Sequence, residues 1–343
     1  MSNYKKILVN SFILVLGVLV SGTSFSQEFA SQVNFSGTTA IHKDSADFVG
    51  WAVSCVVERG YVNIADTSLY FMGSNKASFG SDSLAIGEAN GIMDVVSLGD
   101  GGSAVLTFNP PITNGEGFDF AVFENALLVQ NEPEMAFLEL AFVEVSSDGE
   151  NFYRFSATSN EPFLHQIGSF DYLNCNNFNN LAGKYPTFYG TPFDLEELAE
   201  YSDELNLNRI THVKIIDVIG SINEDYASHD NYGNIINDPY PTPFNTGGFD
   251  LDAVGVLNQA EISNTDKNII IYPNPTSSSV KVQCGELKVK NINIFDATGR
   301  LIDNCQLSTD KYIFDFSGNE KGIYIIVIST EDAVYSDKII LTE

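Results

Sequence analysis

The chain has 343 residues and a formal net charge of −28. Such an excess of acid excludes nucleic acid as a partner, because phosphate binding needs clustered Lys and Arg. Tyr, Phe, Val and Ile are plentiful, Gly is frequent at 27 residues, and helix-period stretches are scarce. This composition predicts an all-β protein, and the length predicts two domains after a leader.

The first 26 residues have the pattern of a secretory signal peptide. Lys5 and Lys6 precede an apolar run over residues 7–20, and small residues follow as far as Ser26. The rest of the sequence has no apolar segment long enough to cross a bilayer as a helix. We therefore expect export and a mature chain without a transmembrane segment.

Residues 27–258 predict a large β-sandwich. The Gly-rich stretch 94–108 reads as strand, tight turn and strand, and no Gly-Lys-Ser/Thr follows it, so a hairpin is favoured over a phosphate loop. Residues 118–125 predict a strand that ends in Glu124 and Asn125. Residues 139–155 predict a second hairpin, because Asp148-Gly149 separates two alternating runs.

Three stretches of this domain carry a resemblance. VEVSSDGENF (143–152) resembles the hairpin of discoidin-type domains, with Phe152 at the usual aromatic position. RITHVKIIDV (209–218) and the closing segment 247–256 resemble two further strands of the same superfamily. The resemblance implies a galactose-binding-like jelly roll. The spacing is also similar to that of uncharacterised secreted bacterial cell-surface proteins, which implies no activity.

Two long loops, residues 163–203 and 221–248, are the predicted ligand surface. Both are rich in Tyr, Asn and Asp, and sugars are recognised by aromatic platforms with planar hydrogen-bonding groups. Each tyrosine has an alternative role in pinning its loop onto the sandwich. The predicted ligand-binding residues are Tyr185, Tyr189, Tyr226, Asp230, Tyr232, Asn234 and Tyr240.

The closing strand is the predicted edge of a calcium site. Strict alternation would place Asp250 and Asp252 on one face with Val254 and Val256. A half-buried carboxylate needs a cation or several donors, and calcium takes six to eight oxygen ligands. The alternative is that these carboxylates cap turns. The predicted metal ligands are Asp252, Asp250, Glu124 and Asp119, with Ca²⁺ as the expected structural cofactor.

Residues 259–268 predict a linker, and residues 269–343 a small immunoglobulin-like sandwich of short strands. Four motifs of this segment resemble the type A sorting domain of the type IX secretion system of Bacteroidota. They are YPNPT (272–276), NIFDATGRLI (293–302), GIYIIVI (322–328) and DKIIL (337–341). That resemblance implies export across the outer membrane, the secretion machinery as a partner, and display on the surface or release.

No catalytic residue is predicted, since the chain has neither a Gly-x-Ser-x-Gly elbow nor a His-Glu-x-x-His motif. The leading hypothesis is a surface-displayed binding protein for a glycan or small extracellular ligand. A capture protein for a TonB-dependent transporter, with a cofactor of the cobalamin type as its ligand, and a secreted hydrolase are the alternatives. Export permits disulfides, and the pairings Cys284–Cys305 and Cys55–Cys175 both stay open.

Overall fold

The computed structural model describes residues 29–260, 269–284, 288–305, 311–330 and 334–342. The predicted signal peptide, and residues 261–268 of the predicted linker, lie outside them. The chain forms two compact units, Met1–Ala260 and Glu261–Glu343. Apart from three short 3₁₀ helices, the regular secondary structure of the described residues is β-strand, which confirms the all-β prediction.

The large unit contains short 3₁₀ helices at Asp82–Ala85, Cys175–Asn177 and Leu195–Tyr201. Its strands are β1 (Ile41–His42), β2 (Gly50–Trp51), β3 (Ser54–Glu58), β4 (Val96–Ser97), β5 (Ser103–Ile112), β6 (Phe120–Glu124), β7 (Leu127–Val129), β8 (Glu132–Phe137), β9 (Ala141–Ser146), β10 (Tyr153–Arg154), β11 (Thr158–Ser159), β12 (Leu173–Asn174), β13 (Phe178–Asn179), β14 (Tyr189–Phe193), β15 (Ile210–Asp217) and β16 (Asp250–Val256).

Two antiparallel sheets form a sandwich. One has the order β1-β14-β6-β16-β2, with β4 also paired to β16, and the other has the order β10-β9-β15-β5-β3. Their facing sides meet in one hydrophobic cluster, because alternate residues of each strand are apolar. Full burial of such a side chain stabilises the fold by about 1.5–3 kcal/mol. The cluster includes Leu106 and Phe108 of β5, Phe120 and Val122 of β6, Val143 and Val145 of β9, Val213 and Ile215 of β15, and Val254 and Val256 of β16.

The Gly-rich stretch 94–108 does not form the predicted hairpin. β4 pairs with β16, whereas β5 pairs with β3 and β15 in the opposite sheet. The segment between them therefore crosses from one sheet to the other. Gly99 and Gly101 have positive φ, and a Cβ on Gly102 would lie 2.1 Å from the carbonyl oxygen of Leu98. The glycines serve this tight crossing rather than a two-residue turn.

A β-bulge in β16 corrects the predicted alternation. The register with β6 shifts between Leu251 and Ala253, so Asp252 is the extra residue. Leu251, Val254 and Val256 all face the main core, and Ala253 packs on the outer side of the sheet. Asp250 and Asp252 therefore do not share a face with the two valines.

The outer side of the six-stranded sheet carries an aromatic cluster. Trp51 lies against Phe48 and Phe123, with ring centroids 4.9 and 5.5 Å away. Ala121 and Ala253 complete this cluster beneath the rings. The small residues leave room for the aromatic rings, which are tilted against one another.

Residues 163–203 are more ordered than the predicted loop. They include β14, which pairs with β1 and β6 inside the six-stranded sheet. The predicted helical turns are present at Leu195–Tyr201, where the Asp194 side chain caps the first turn by accepting from the Glu196 N–H. The second predicted loop runs from β15 to β16 without a strand.

The small unit is a second sandwich. Its strands are β17 (Ile270–Tyr272), β18 (Ser279–Gln283), β19 (Val289–Asp296), β20 (Leu301–Cys305), β21 (Lys311–Asp315), β22 (Gly322–Thr330) and β23 (Val334–Leu341). They form sheets of order β17-β18-β21 and β20-β19-β22-β23, with one hydrophobic cluster between them. The turn after β19 is held by Asp296, which accepts from the N–H groups of Thr298 and Arg300.

Within the described ranges, no helix has the length and apolar character of a membrane span. Cys55 and Cys175 lie buried in separate hydrophobic clusters as free thiols, so they do not form the pairing left open by the sequence.

Candidate functional site: an acidic cavity with aromatic walls

A cavity of about 490 Å³ lies in the large unit. This volume falls in the range of small-molecule sites in proteins. Both long loops of the sequence prediction contribute to its lining. Its aromatic walls are Phe137, Phe170, Tyr172 and Phe244, its aliphatic walls are Ile92, Leu127 and Leu128, and its polar lining includes Asn125, Glu139, Ser169, Thr242, Thr246 and Asp250.

Hydrogen bonds between the two long loops hold the walls in place. The Ser169 hydroxyl donates to the carbonyl of Pro241 at 2.5 Å, and the Tyr240 N–H donates to the carbonyl of Ile167 at 3.0 Å. The rings of Phe170 and Phe244 pack with their centroids 5.7 Å apart. The cavity is therefore formed before any ligand enters it.

Two rings of the wall remain open to solvent. Phe170 is 71% exposed and Tyr172 is 51% exposed. Exposed apolar residues that lie together, unlike single ones, are typical of interaction sites.

Two buried carboxyl groups line the same cavity. Asp250, the first residue of β16, accepts hydrogen bonds from the Ser97 hydroxyl and from the Asn125 amide at 3.1 Å. Glu139 precedes β9, is 7% exposed, and has no hydrogen-bond partner for its carboxyl group among the described residues. Loop and strand ends thus bring one satisfied and one unsatisfied carboxyl group to one cavity.

The surroundings disfavour charge on both groups. Burial raises the pKa of Asp250 to about 6, although hydrogen bonds from Ser97 and Asn125 and the charge of Arg59 act in the opposite direction. Burial, followed by the nearby charges of Asp250 and Glu124, holds the pKa of Glu139 well above its usual value.

Three further buried carboxyl groups lie close enough to act on Glu139, and burial also raises the pKa of each. Asp217 accepts from the N–H groups of Gly101 and Phe249. Glu124 and Asp238 each use one oxygen, for the N–H groups of Ala126 and Leu140. The other oxygens, Glu124 Oε1 and Asp238 Oδ1, have no hydrogen-bond partner in the described part of the chain.

The four predicted metal ligands fall into two groups. Asp250 and Glu124 are electrostatic neighbours near the cavity. Asp252 instead accepts from the N–H groups of Asn90 and Gly91, both at 3.0 Å. Asp119 lies at the opposite end of β6, where several donors satisfy it. Within the described ranges, no three Asp, Glu, His or Cys side chains are arranged to hold a metal ion.

None of the seven predicted ligand-binding residues lines the cavity. Tyr185 is 1% exposed and packs in the core, with its hydroxyl 2.9 Å from the Thr39 hydroxyl. Tyr189 opens β14 with its ring against His42. The burial of Tyr185 corrects the sequence prediction for that residue, which pins the chain onto the sandwich, whereas the assignment of the half-buried Tyr189 stays a prediction.

The other five predicted residues lie in the second long loop. Asp230 accepts from the N–H groups of Ser159, Tyr232 and Asn234, and also from the Asn234 amide, so it organises a turn. Tyr226 is half-buried, and Tyr240 donates its hydroxyl to the Asn63 amide oxygen at 3.2 Å. Tyr232 is 76% exposed and stands away from the cavity lining.

Glu139, Phe170, Tyr172 and Phe244 were missed by the sequence prediction. A signal existed for Glu139, because strand alternation puts it in phase with the core residues Ala141, Val143 and Val145. Phe170, Tyr172 and Phe244 come from the same two long loops as the predicted tyrosines, and they differ from them only in facing the cavity. The sequence pattern contains no measure of that.

Comparison with known proteins identifies the small unit. Residues 270–342 match the family model of the secretion system C-terminal sorting domain, which confirms the resemblance of the four C-terminal motifs. This tail directs export by type IX secretion, so the protein is secreted or displayed at the cell surface. No curated protein sequence matches the chain.

Solved structures similar to the chain include β-glucuronidase 3 of Bacteroides uniformis and a β-glucuronidase of Ruminococcus gnavus in complex with N1-substituted uronic isofagomine. Both are 13% identical with a TM-score of 0.20, and the matches cover 72% and 70% of this chain. The chain spans only 28% and 37% of those two enzymes. At such a TM-score the likeness carries no argument about fold or activity.

Proposed function

We propose that the large unit is a glycan-binding module, with the acidic cavity as its binding site, exported by means of the C-terminal sorting domain. One observation carries the proposal: exposed aromatic rings stand beside buried carboxyl groups in a cavity of ligand size. A sugar ring has apolar C–H faces that stack on aromatic rings, and hydroxyl groups that donate to carboxyl oxygens.

The remaining lining suits the same ligand. Asn125, Ser169, Thr242 and Thr246 add amide and hydroxyl groups around the cavity. Such groups both donate and accept, as sugar hydroxyls do. The relationship to galactose-binding-like jelly rolls is part of this proposal, and the observed β9–β10 hairpin around Asp148 and Gly149 supports it.

A glycan array probed with the purified full chain tests the proposal. We expect binding to a defined set of sugars, followed by a measurable affinity in calorimetry. Phe170→Ala should weaken that affinity about tenfold, because it removes an exposed stacking ring.

Tyr232→Ala is the matched control. Tyr232 is as exposed as Phe170 and also lies in a long loop, but it does not line the cavity. Its substitution should leave the affinity unchanged. Absence of binding to every sugar on the array would refute the proposed site. So would a loss of affinity in Tyr232→Ala together with an unchanged affinity in Phe170→Ala.

A further inference from the structure

We infer that the glycan bound in this cavity carries a positive charge, as an amino sugar with a free ammonium group does. The inference rests on the proposed function and names its ligand class. Its basis is the juxtaposition of unneutralised carboxyl groups and aromatic walls in one cavity.

The first step is the charge of the lining. Glu139 and Asp250 line the cavity, and none of the described lining residues is Lys, Arg or His. Glu124, Asp217 and Asp238 stand close enough behind them to add to the negative potential at Glu139. A buried carboxylate without a cation is unfavourable. A positively charged ligand would supply the counter-charge that the lining lacks.

Arg59 supplies this counter-charge to Asp250 only in part, because its charge favours the ionised form of that carboxyl group without a hydrogen bond to it. It is the one basic side chain whose charge acts on Asp250. Its guanidinium donates to the carbonyl groups of Phe79, Gly80 and Ser97, so its hydrogen bonds are directed to backbone instead. At Glu139 the strongest charge effects come from other carboxyl groups, with Asp250 and Glu124 first.

The second step is the aromatic wall, which distinguishes an organic cation from a metal ion. Phe137, Phe170, Tyr172 and Phe244 line the cavity that contains the two carboxyl groups. An ammonium group gains from aromatic faces as well as from carboxylates. Calcium takes only oxygen ligands, and the described carboxyl groups are not arranged in threes to hold it.

The raised pKa values of Glu139 and Asp250 agree with this assignment. Burial is the main cause in both, and it favours the protonated form of each carboxyl group. An ammonium group within ion-pair distance favours the charged form and replaces that proton.

Oligosaccharides of one length that differ only in charge provide the test. Calorimetry on the full chain would compare an oligomer of glucosamine, its N-acetylated form and the corresponding glucose oligomer. We expect the glucosamine oligomer to bind about tenfold or more tightly than either neutral sugar. Glu139→Gln should abolish that preference, and Tyr232→Ala should retain it. Asp250→Asn provides a second variant if Glu139→Gln does not fold.

Each other outcome is decisive. Equal binding of the charged and neutral oligomers would overturn the inference and leave the proposed glycan site standing. Absence of binding to any sugar, here and on the array, would refute both. Calcium chloride that raises the melting temperature alone and displaces the glucosamine oligomer would assign the carboxyl groups to a metal ion and overturn the inference.

Discussion

The two ends of β6 carry buried carboxyl groups in opposite circumstances. Asp119, just before the strand, accepts from the N–H groups of Gly115 and Leu195 and from the Asn258 amide. Glu124, the last residue, lies about 16 Å away at 3.3 Å per residue and leaves Oε1 without a hydrogen-bond partner in the described part of the chain. Burial raises the pKa of both, with the larger effect at Glu124.

The difference separates a carboxyl group with several donors from one that keeps an unpaired oxygen. Asp119 joins three chain segments by accepting three hydrogen bonds. Glu124 lies among other carboxyl groups near the cavity. At a position with a purely structural role, a buried carboxyl group would be expected to have hydrogen-bond partners or to be replaced by an apolar residue. The satisfaction of hydrogen bonds, and not burial or acidity, therefore distinguishes the two ends.

The largest effect is expected at the satisfied end. Asp119→Ala leaves three donors without their acceptor, and each such loss costs about 1–3 kcal/mol when buried. We expect the free energy of unfolding to fall by roughly 4 kcal/mol in a urea titration, with sugar binding retained in the folded fraction. A loss below about 1 kcal/mol would remove the structural role assigned to Asp119.

The cavity end should show a pH-dependent stability. The pKa of Asp250 is raised from 3.8 to about 6, so the folded state holds more protons than the unfolded state between these values. The contribution of this protonation to the free energy of unfolding is therefore fully present below about pH 4 and is lost as the pH rises through about 6. A shift of this size corresponds to roughly 3 kcal/mol.

Urea titrations of wild type and Asp250→Asn from pH 4 to 7 check this expectation. The hydrogen bond from Asn125 favours the ionised form of Asp250, so its change in the variant opposes the effect of burial, which is the larger of the two. The variant should gain stability relative to wild type as the pH rises. A difference that stays constant over the range would show that Asp250 does not titrate as the structure indicates.

A smaller effect is expected at Tyr185, which the sequence assigned to ligand binding. Tyr185→Phe removes the contact between its hydroxyl and Thr39 and should lower the free energy of unfolding by about 1 kcal/mol. Sugar affinity, measured by calorimetry, should not change. A weaker affinity at unchanged stability would return Tyr185 to the binding surface.

The smallest effect on stability is expected at the cavity mouth. Tyr172→Ala alters a ring that is 51% exposed, so the free energy of unfolding should stay within about 0.5 kcal/mol of wild type. The same variant should weaken sugar binding. Destabilisation by more than about 1 kcal/mol would mean that the ring supports the fold instead.

Strand alternation was enough to predict the fold class and several of the strands. The hairpin at Asp148-Gly149, the strand that ends at Glu124 and the small-unit strands all follow local patterns. The hairpin predicted at Gly99–Gly102 was wrong. The strands on either side of it pair with distant segments, and a local pattern does not specify the sheet to which a strand belongs. The alternation predicted for the closing strand was wrong because of the bulge at Asp252. One extra residue reverses the faces of the residues that follow it, without any change in composition.

The candidate site was predictable in outline only. Asp250, Glu124 and both long loops follow from the sequence, and Glu139 was within reach of the same alternation. The choice of Phe170 and Tyr172 over Tyr185 and Tyr189 was not, because Tyr185 packs in a core cluster and Tyr189 belongs to β14. Whether a loop residue faces core or cavity depends on tertiary packing.

The aromatic cluster on the outer side of the six-stranded sheet gives the protein a built-in optical probe. Trp51 is the only tryptophan in the chain, so its fluorescence reports on the large unit while the sorting domain stays silent. It also pairs with Gly255 of β16, the strand that begins with Asp250 at the cavity. One emission signal from the intact chain therefore follows the unfolding of the unit that contains the proposed site.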